Sequence, residues 1–199
     1  YEDDSGILYI ETQSGAFHKY NPRSESFRIV NKDGINLKGL KLSTVGALLI
    51  EPSGVIWTGG LGSGTGLNRL DTNTGLNTLY MHDPSDPYSL SDDKVYSILR
   101  DRSGNLWIAT FNGLDRLDET TGKFIHYRND PNNTNSLSDN WVWPLYEDSR
   151  GFLWIGTVRG GLNRFDPMTN TFVHYKNDPN DPASINDNFI FSVYEDLSG

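Results

Sequence analysis

Residues 150–157 read "RGFLWIGT". The same phrase returns as "SGNLWIAT" from Ser103 and as "SGVIWTGG" from Ser53. "SGILYIET" from Ser5 is a further copy, with Tyr9 in the tryptophan place. The turn glycines are Gly6, Gly54, Gly104, Gly151 and Gly199, spaced 48, 50, 47 and 48 residues apart. A period of that length marks a repeat architecture, in which each unit buries its apolar face against the next.

Outward from the tryptophan, each unit divides into four short strands. "WVWPLYED" (141–148) alternates and is rich in aromatics. "SRG" is a tight turn with Gly151 free to take positive φ. "FLWIGT" is the second strand, "GGLNRFD" (160–166) the third and "TFVHY" (171–175) the fourth. A polar loop, "KNDPNDPASINDN", leads to the next first strand. Four strands and one aromatic signature per unit predict an all-β chain of β-propeller blades. A β-solenoid would use shorter coils. Blades are expected over 45–80, 94–127 and 141–175, with a part-blade over 1–30 and the inner strand of a further blade over 189–196. Pro144 lies inside a first strand, where it cannot donate to a ladder and needs a free edge. A blade's innermost strand offers one at the axial channel, and the equivalent Ala47, Ser97 and Ser192 are small.

The chain opens on "YEDDSG" and closes on "YEDLSG". One blade turn seen at both ends predicts a segment of a larger propeller. The alternative is a second copy closing the ring through free strands.

Composition narrows the function. With 17 basic and 26 acidic residues, the formal charge is −9. That disfavours a nucleic-acid partner and docking on an anionic membrane. No apolar run is long enough to insert into a bilayer. The absence of cysteine excludes disulfides and thiolate metal sites. His126 and His174 share one repeat position, and such positions in different blades lie too far apart to chelate one ion. No metal and no cofactor is expected. "GLGSGTG" (60–66) joins two strands and lacks the Lys-Ser/Thr of a phosphate loop. "NNT" at Asn132 is a glycosylation sequon only in a eukaryotic secretory setting. The recurrent acids Asp3, Glu51, Asp101, Asp148 and Asp196 are explained by the turn they precede. Repeat logic assembles no Ser/His/Asp set, so no catalytic residue is assigned.

"VYSILRDRSGNLWIATFNGLDRLD" and "PLYEDSRGFLWIGTVRGGLNRFD" resemble the two-component regulator propeller repeat, as do the loops "NDPNNTNSLSDN" and "NDPNDPASINDN". The resemblance covers the chain and is weakest in the first unit. It implies a propeller of about seven blades, in the periplasmic or extracellular sensor half of a bacterial signalling protein. It also implies an oligosaccharide as a possible ligand.

The long polar loops and the second-to-third strand loops are expected to share one face, at the channel mouth where inner strands begin. Ligand-binding candidates there are Lys94, Asn140, Trp141, Asn188, Phe189 and Arg159, with Asp92, Asp93, Asp139 and Asp187 close by. An exposed aromatic beside amide and charged groups suits a sugar, which offers C–H faces and hydroxyls. The bland alternative has Trp143 packed between blades and Trp141 filling the channel wall. The signature Trp57, Trp107 and Trp154 are expected in the core, and the "NDP" and "SLSDN" segments as loop-formers, including Asn129, Asp130, Asn177 and Asp178. Three functions compete: a ligand-sensing module, a structural or protein-interaction propeller, and, with least support, a polysaccharide lyase or hydrolase.

Overall fold

The computed structural model describes residues 8–11, 17–24, 26–29, 45–62 and 64–196. The expected turn over Tyr1–Gly6, the loop over 30–44 and Gly199 lie outside the described residues. β1 (Leu8–Glu11), β2 (Phe17–Asn21) and β3 (Ser26–Ile29) form a three-stranded sheet. Three four-stranded sheets follow. The first holds β4 (Val45–Ile50), β5 (Val55–Gly60), β6 (Leu67–Asp71) and β7 (Asn77–Tyr80). The second holds β8 (Val95–Arg100), β9 (Leu106–Thr110), β10 (Gly113–Asp118) and β11 (Lys123–Tyr127). The third holds β12 (Val142–Glu147), β13 (Leu153–Thr157), β14 (Leu162–Asp166) and β15 (Thr171–Tyr175). Each is an antiparallel meander in chain order. First strands lie side by side, with β8 against both β4 and β12, and the sheets stack as propeller blades.

The tight turn behaves as its glycine predicts. Gly54, Gly104 and Gly151 sit at φ of 86°, 86° and 85°, where a Cβ would be strained. The acid before each turn has a second task. Asp101 Oδ2 accepts the Trp107 indole N–H at 2.8 Å, and Asp148 Oδ2 accepts that of Trp154 at 2.9 Å. Glu51 does the same for Trp57 at 3.0 Å. Each signature tryptophan can therefore be buried without an orphaned donor.

Strand alternation then builds two cores from each blade. In β9, Leu106 and Ile108 enter the core shared with the preceding sheet, while Trp107 and Ala109 enter the one shared with the next. Both faces are covered, so β5 and β9 are buried along their whole length. Trp57 and Trp107 are core, as expected. Trp154 is only half-buried. It stacks on Tyr175 at 5.6 Å and borders an open groove with Val193 and Tyr194, because no further sheet covers that side among the described residues.

Residues 189–196, expected as an inner strand, form no ladder. A strand needs a partner strand, and no strand among the described residues pairs with this segment in a ladder. The segment is nevertheless held where a first strand belongs. Gly161 N–H bonds the Asn188 carbonyl at 3.0 Å, as Gly113 N–H bonds that of Asn140 at 2.7 Å. Glu195 accepts from Ser149 N–H at 2.8 Å, as Glu147 accepts from Arg102 N–H at 2.9 Å.

Candidate functional site

The site grows from a defect repeated in every first strand. The β4–β5 ladder slips between Val45 and Ala47, the β8–β9 ladder between Val95 and Ser97, and the β12–β13 ladder between Val142 and Leu145. Each slip is a β-bulge, which bends the strand and re-aims the extra side chain. Pro144 falls in the third bulge, where its missing N–H costs no ladder bond. The re-aimed residues include Tyr96 and Trp143, whose rings meet at 5.3 Å between centroids.

The loops entering these strands are fixed by their own residues. Asn129 Nδ2 donates to the Leu137 carbonyl at 2.7 Å, and Asp130 N–H donates to Ser136 Oγ at 2.9 Å. The loop before residue 189 repeats both bonds through Asn177 to Ile185 and Asp178 to Ser184. In the first loop His82 replaces the asparagine, its Nδ1 lying 2.8 Å from the Leu90 carbonyl. Leu90 and Leu137 are fully buried and anchor their loops in the inter-blade cores. Asn129, Asp130, Asn177 and Asp178 thus act as loop-formers.

That scaffold places the six candidates unequally. Asn140 and Asn188 complete the loops: their Oδ1 atoms accept the Asn129 and Asn177 N–H groups at 2.7 and 2.8 Å. Lys94, Trp141 and Phe189 occupy one repeat position, the last residue before the first strand. Lys94 Nζ lies 4.8 Å from the centre of the Phe111 ring. Phe111 meets Trp141 at 4.9 Å, and the Arg159 guanidinium carbon lies 6.0 Å from the Trp141 ring. Each of two adjacent blades therefore supplies one cation and one ring, and the rings touch across the boundary. Tyr96 packs on Trp141 at 6.1 Å, and Trp143 continues the cluster to Phe189 at 5.7 Å and Phe191 at 5.2 Å. Burial pushes the Tyr96 phenol above its usual pKa, with the Trp141 indole acting against it. The indole N–H itself is buried and makes no well-formed hydrogen bond. The nearby carboxylates face backbone donors: Asp92 takes Lys94 N–H, Asp93 takes His82 N–H, Asp139 takes Arg159 N–H and Asp187 takes Phe189 N–H.

The sequence reading missed Phe111, Tyr96 and Phe191, and placed Trp143 between blades. A signal was present. Tyr96, Trp143 and Phe191 share one repeat position, next to the small residues Ser97, Pro144 and Ser192.

A Ser/His/Asp set, which repeat logic did not assemble, does form. Asp115, buried on β10, accepts Ser91 Oγ–H at 2.6 Å and Ser91 N–H at 2.7 Å. His126 Nδ1 lies 2.7 Å from Asp115 Oδ1 and 2.9 Å from Ser91 Oγ. Its Nε2 lies 2.9 Å from the Pro87 carbonyl, so that nitrogen must carry a proton. The bond to Asp115 holds the imidazole above its ordinary pKa, with burial working against it. An imidazole with both nitrogens occupied cannot take a proton from serine, and Ser91 is buried. The set locks the loop before β8 onto β10 and β11. In the next blade Ser138 and Asn163 make the corresponding tie, with Asn163 Nδ2 donating to Ser138 Oγ at 2.8 Å. Among the described residues no cluster of His, Asp or Glu could hold a metal ion.

A family model described as "Two component regulator propeller" matches residues 89–112 and 136–159. No curated protein matches the chain. The extracellular domain of a proposed hybrid two component system from B. thetaiotaomicron is similar at 25% identity and a TM-score of 0.67, over 88% of this chain and 24% of that one. PorZ, a surface component of the type-IX secretion system of Porphyromonas gingivalis, is similar at 17% identity and a TM-score of 0.67, over 98% and 29%. Virginiamycin B lyase from Staphylococcus aureus is similar at 17% identity and a TM-score of 0.60, over 92% and 56%. The last two likenesses are of fold alone, and the chain spans between 24% and 56% of these three structures. The matched segments cover β8–β9 and β12–β13, and the same turn, acid and tryptophan recur over β4–β5, so the chain carries repeats similar to those of the two component regulator propeller.

Proposed function

We propose that this chain is an extracytoplasmic ligand-binding propeller module of a bacterial signalling protein, and that its ligand is a glycan or small polar molecule. The observation that supports this most is the row Lys94, Phe111, Trp141 and Arg159, where first strands begin and second strands end. Aromatic faces take the C–H surface of a sugar, and flanking donors take its hydroxyls. The likeness to the extracellular domain of a proposed hybrid two component system supports the location and the signalling context. We further propose that the exposed edge of residues 189–196 pairs with further blade strands, of the same protein or of a second copy.

Isothermal calorimetry across a panel of oligosaccharides tests the reading. Saturable binding that Trp141→Ala weakens at least about tenfold, the scale of a lost aromatic anchor, is the expected result. No binding across the panel, with a stable protein partner captured instead, favours the interaction-module reading.

A further inference from the structure

The repeat does not require a cation at either of the two basic positions of this mouth. Lys94 stands where the next units carry Trp141 and Phe189, and Arg159 stands where other blades carry Asn112 and Gly62. The work that Lys94 and Trp141 share belongs to the backbone: the Lys94 carbonyl accepts Phe111 N–H at 3.1 Å, and the Trp141 carbonyl accepts Val158 N–H at 3.0 Å. The side chains are therefore free to vary. In a chain of net charge −9, basic side chains have acids in plenty to pair with. The ion pairs among the described residues nevertheless use Arg100, Arg102, His126 and Arg150, and neither Lys94 nor Arg159. Asp92 and Asp139 accept the backbone N–H groups of Lys94 and Arg159.

Each cation lies against a ring: Lys94 on Phe111 and Arg159 on Trp141. Cation–π contact uses the face of the charged group turned to the ring. It leaves ammonium and guanidinium N–H donors turned outward. The rings hold the two charges on either side of an aromatic seam. That arrangement suits an anion attached to an apolar face, since charge-assisted bonds to carboxylate or sulfate are among the strongest a side chain makes.

We propose that the ligand is an acidic oligosaccharide, its sugar ring on Phe111 and Trp141 and its carboxylate or sulfate held by Lys94 and Arg159. This deepens the glycan reading of the same mouth and rests on it. The test is calorimetry of the full chain with trigalacturonate, its fully methyl-esterified form, a sulfated disaccharide and a neutral panel. An acidic sugar binding at least about tenfold more tightly than its neutralised counterpart is expected, with Lys94→Ala and Arg159→Ala each removing about tenfold from the acidic ligand alone, the worth of one charge-assisted bond. Affinity for the acidic ligand should fall with added salt. The carboxylate and sulfate arms identify which anion is held. Equal binding of acid and ester, or binding confined to neutral sugars, overturns the acidic-ligand inference and leaves the glycan reading standing. No binding by any sugar overturns both.

Discussion

Asp101 and Asp148 each hold a turn and a tryptophan at once. Asp101 accepts Asn105 N–H at 2.7 Å with one oxygen and the Trp107 indole with the other. Asp101→Ala strands a buried indole N–H, and urea unfolding should show a loss of about 2–3 kcal/mol. At Asp148 burial pushes the carboxyl up, but the Trp154 indole and the Phe152 and Arg150 backbone N–H groups outweigh it, so the pKa stands below 3.8. A depressed carboxylate contributes stability that is present above its unfolded pKa and lost as pH falls through the folded value. Unfolding midpoints should therefore drop below about pH 4, and Asp148→Asn should blunt that drop. His126 carries the opposite sign. Its pKa is raised above 6.5 by Asp115, so its contribution is complete below 6.5 and is lost as pH rises through the folded value. NMR titration of the imidazole should give a midpoint above 6.5 that Asp115→Asn brings down. An unshifted midpoint in both proteins would remove the lock from the account. Neither pairing was readable in advance. The acids were legible as turn residues, but an indole six positions on is reached only once the hairpin closes, and Ser91, Asp115 and His126 come together from a loop and two strands.

At the scale of elements, the blade interface depends on one small residue near the end of each second strand. A Cβ on Gly59 would lie 2.3 Å from Val95 Cγ1, and one on Gly156 would lie 2.5 Å from Pro144 Cγ and 2.8 Å from Ile190 Cβ. Ala109 fills the equivalent place beside Val142. Gly156→Ala should cost about 1–3 kcal/mol by overpacking, measured as a lower denaturant midpoint. An unchanged midpoint would mean that Ile190 does not sit on β13 in solution. Strand positions were legible because alternation and the turn glycines are local signals. β15 falls on the very residues read as "TFVHY". The bulges were half legible: Pro144 and the small residues beside it pointed to an irregular edge, but a register slip is a property of two strands and leaves no mark in one. For the same reason residues 189–196 carried a strand's pattern and form no ladder.

Across the whole molecule, the repeat does two things to function. It brings the same sequence position of successive units to one mouth, which is why Lys94, Trp141 and Phe189 could be grouped from the sequence. It also lets side chains vary there at no cost to the fold, since the positions are held by backbone bonds. What the sequence could not convey was the seam across the blade boundary, because Phe111 and Trp141 belong to different units and meet only when blades stack. The claim that this seam is the binding surface is tested most directly by the indole N–H signals of 15N-labelled protein during titration with trigalacturonate. Trp141 and Trp143 line the cluster, whereas Trp57, Trp107 and Trp154 have their indoles bonded to Glu51, Asp101 and Asp148. If the seam binds the ligand, the signals of Trp141 and Trp143 shift saturably while the other three stay in place. Saturable shifts confined to Trp57, Trp107 or Trp154, or binding heat with every indole unmoved, would contradict it.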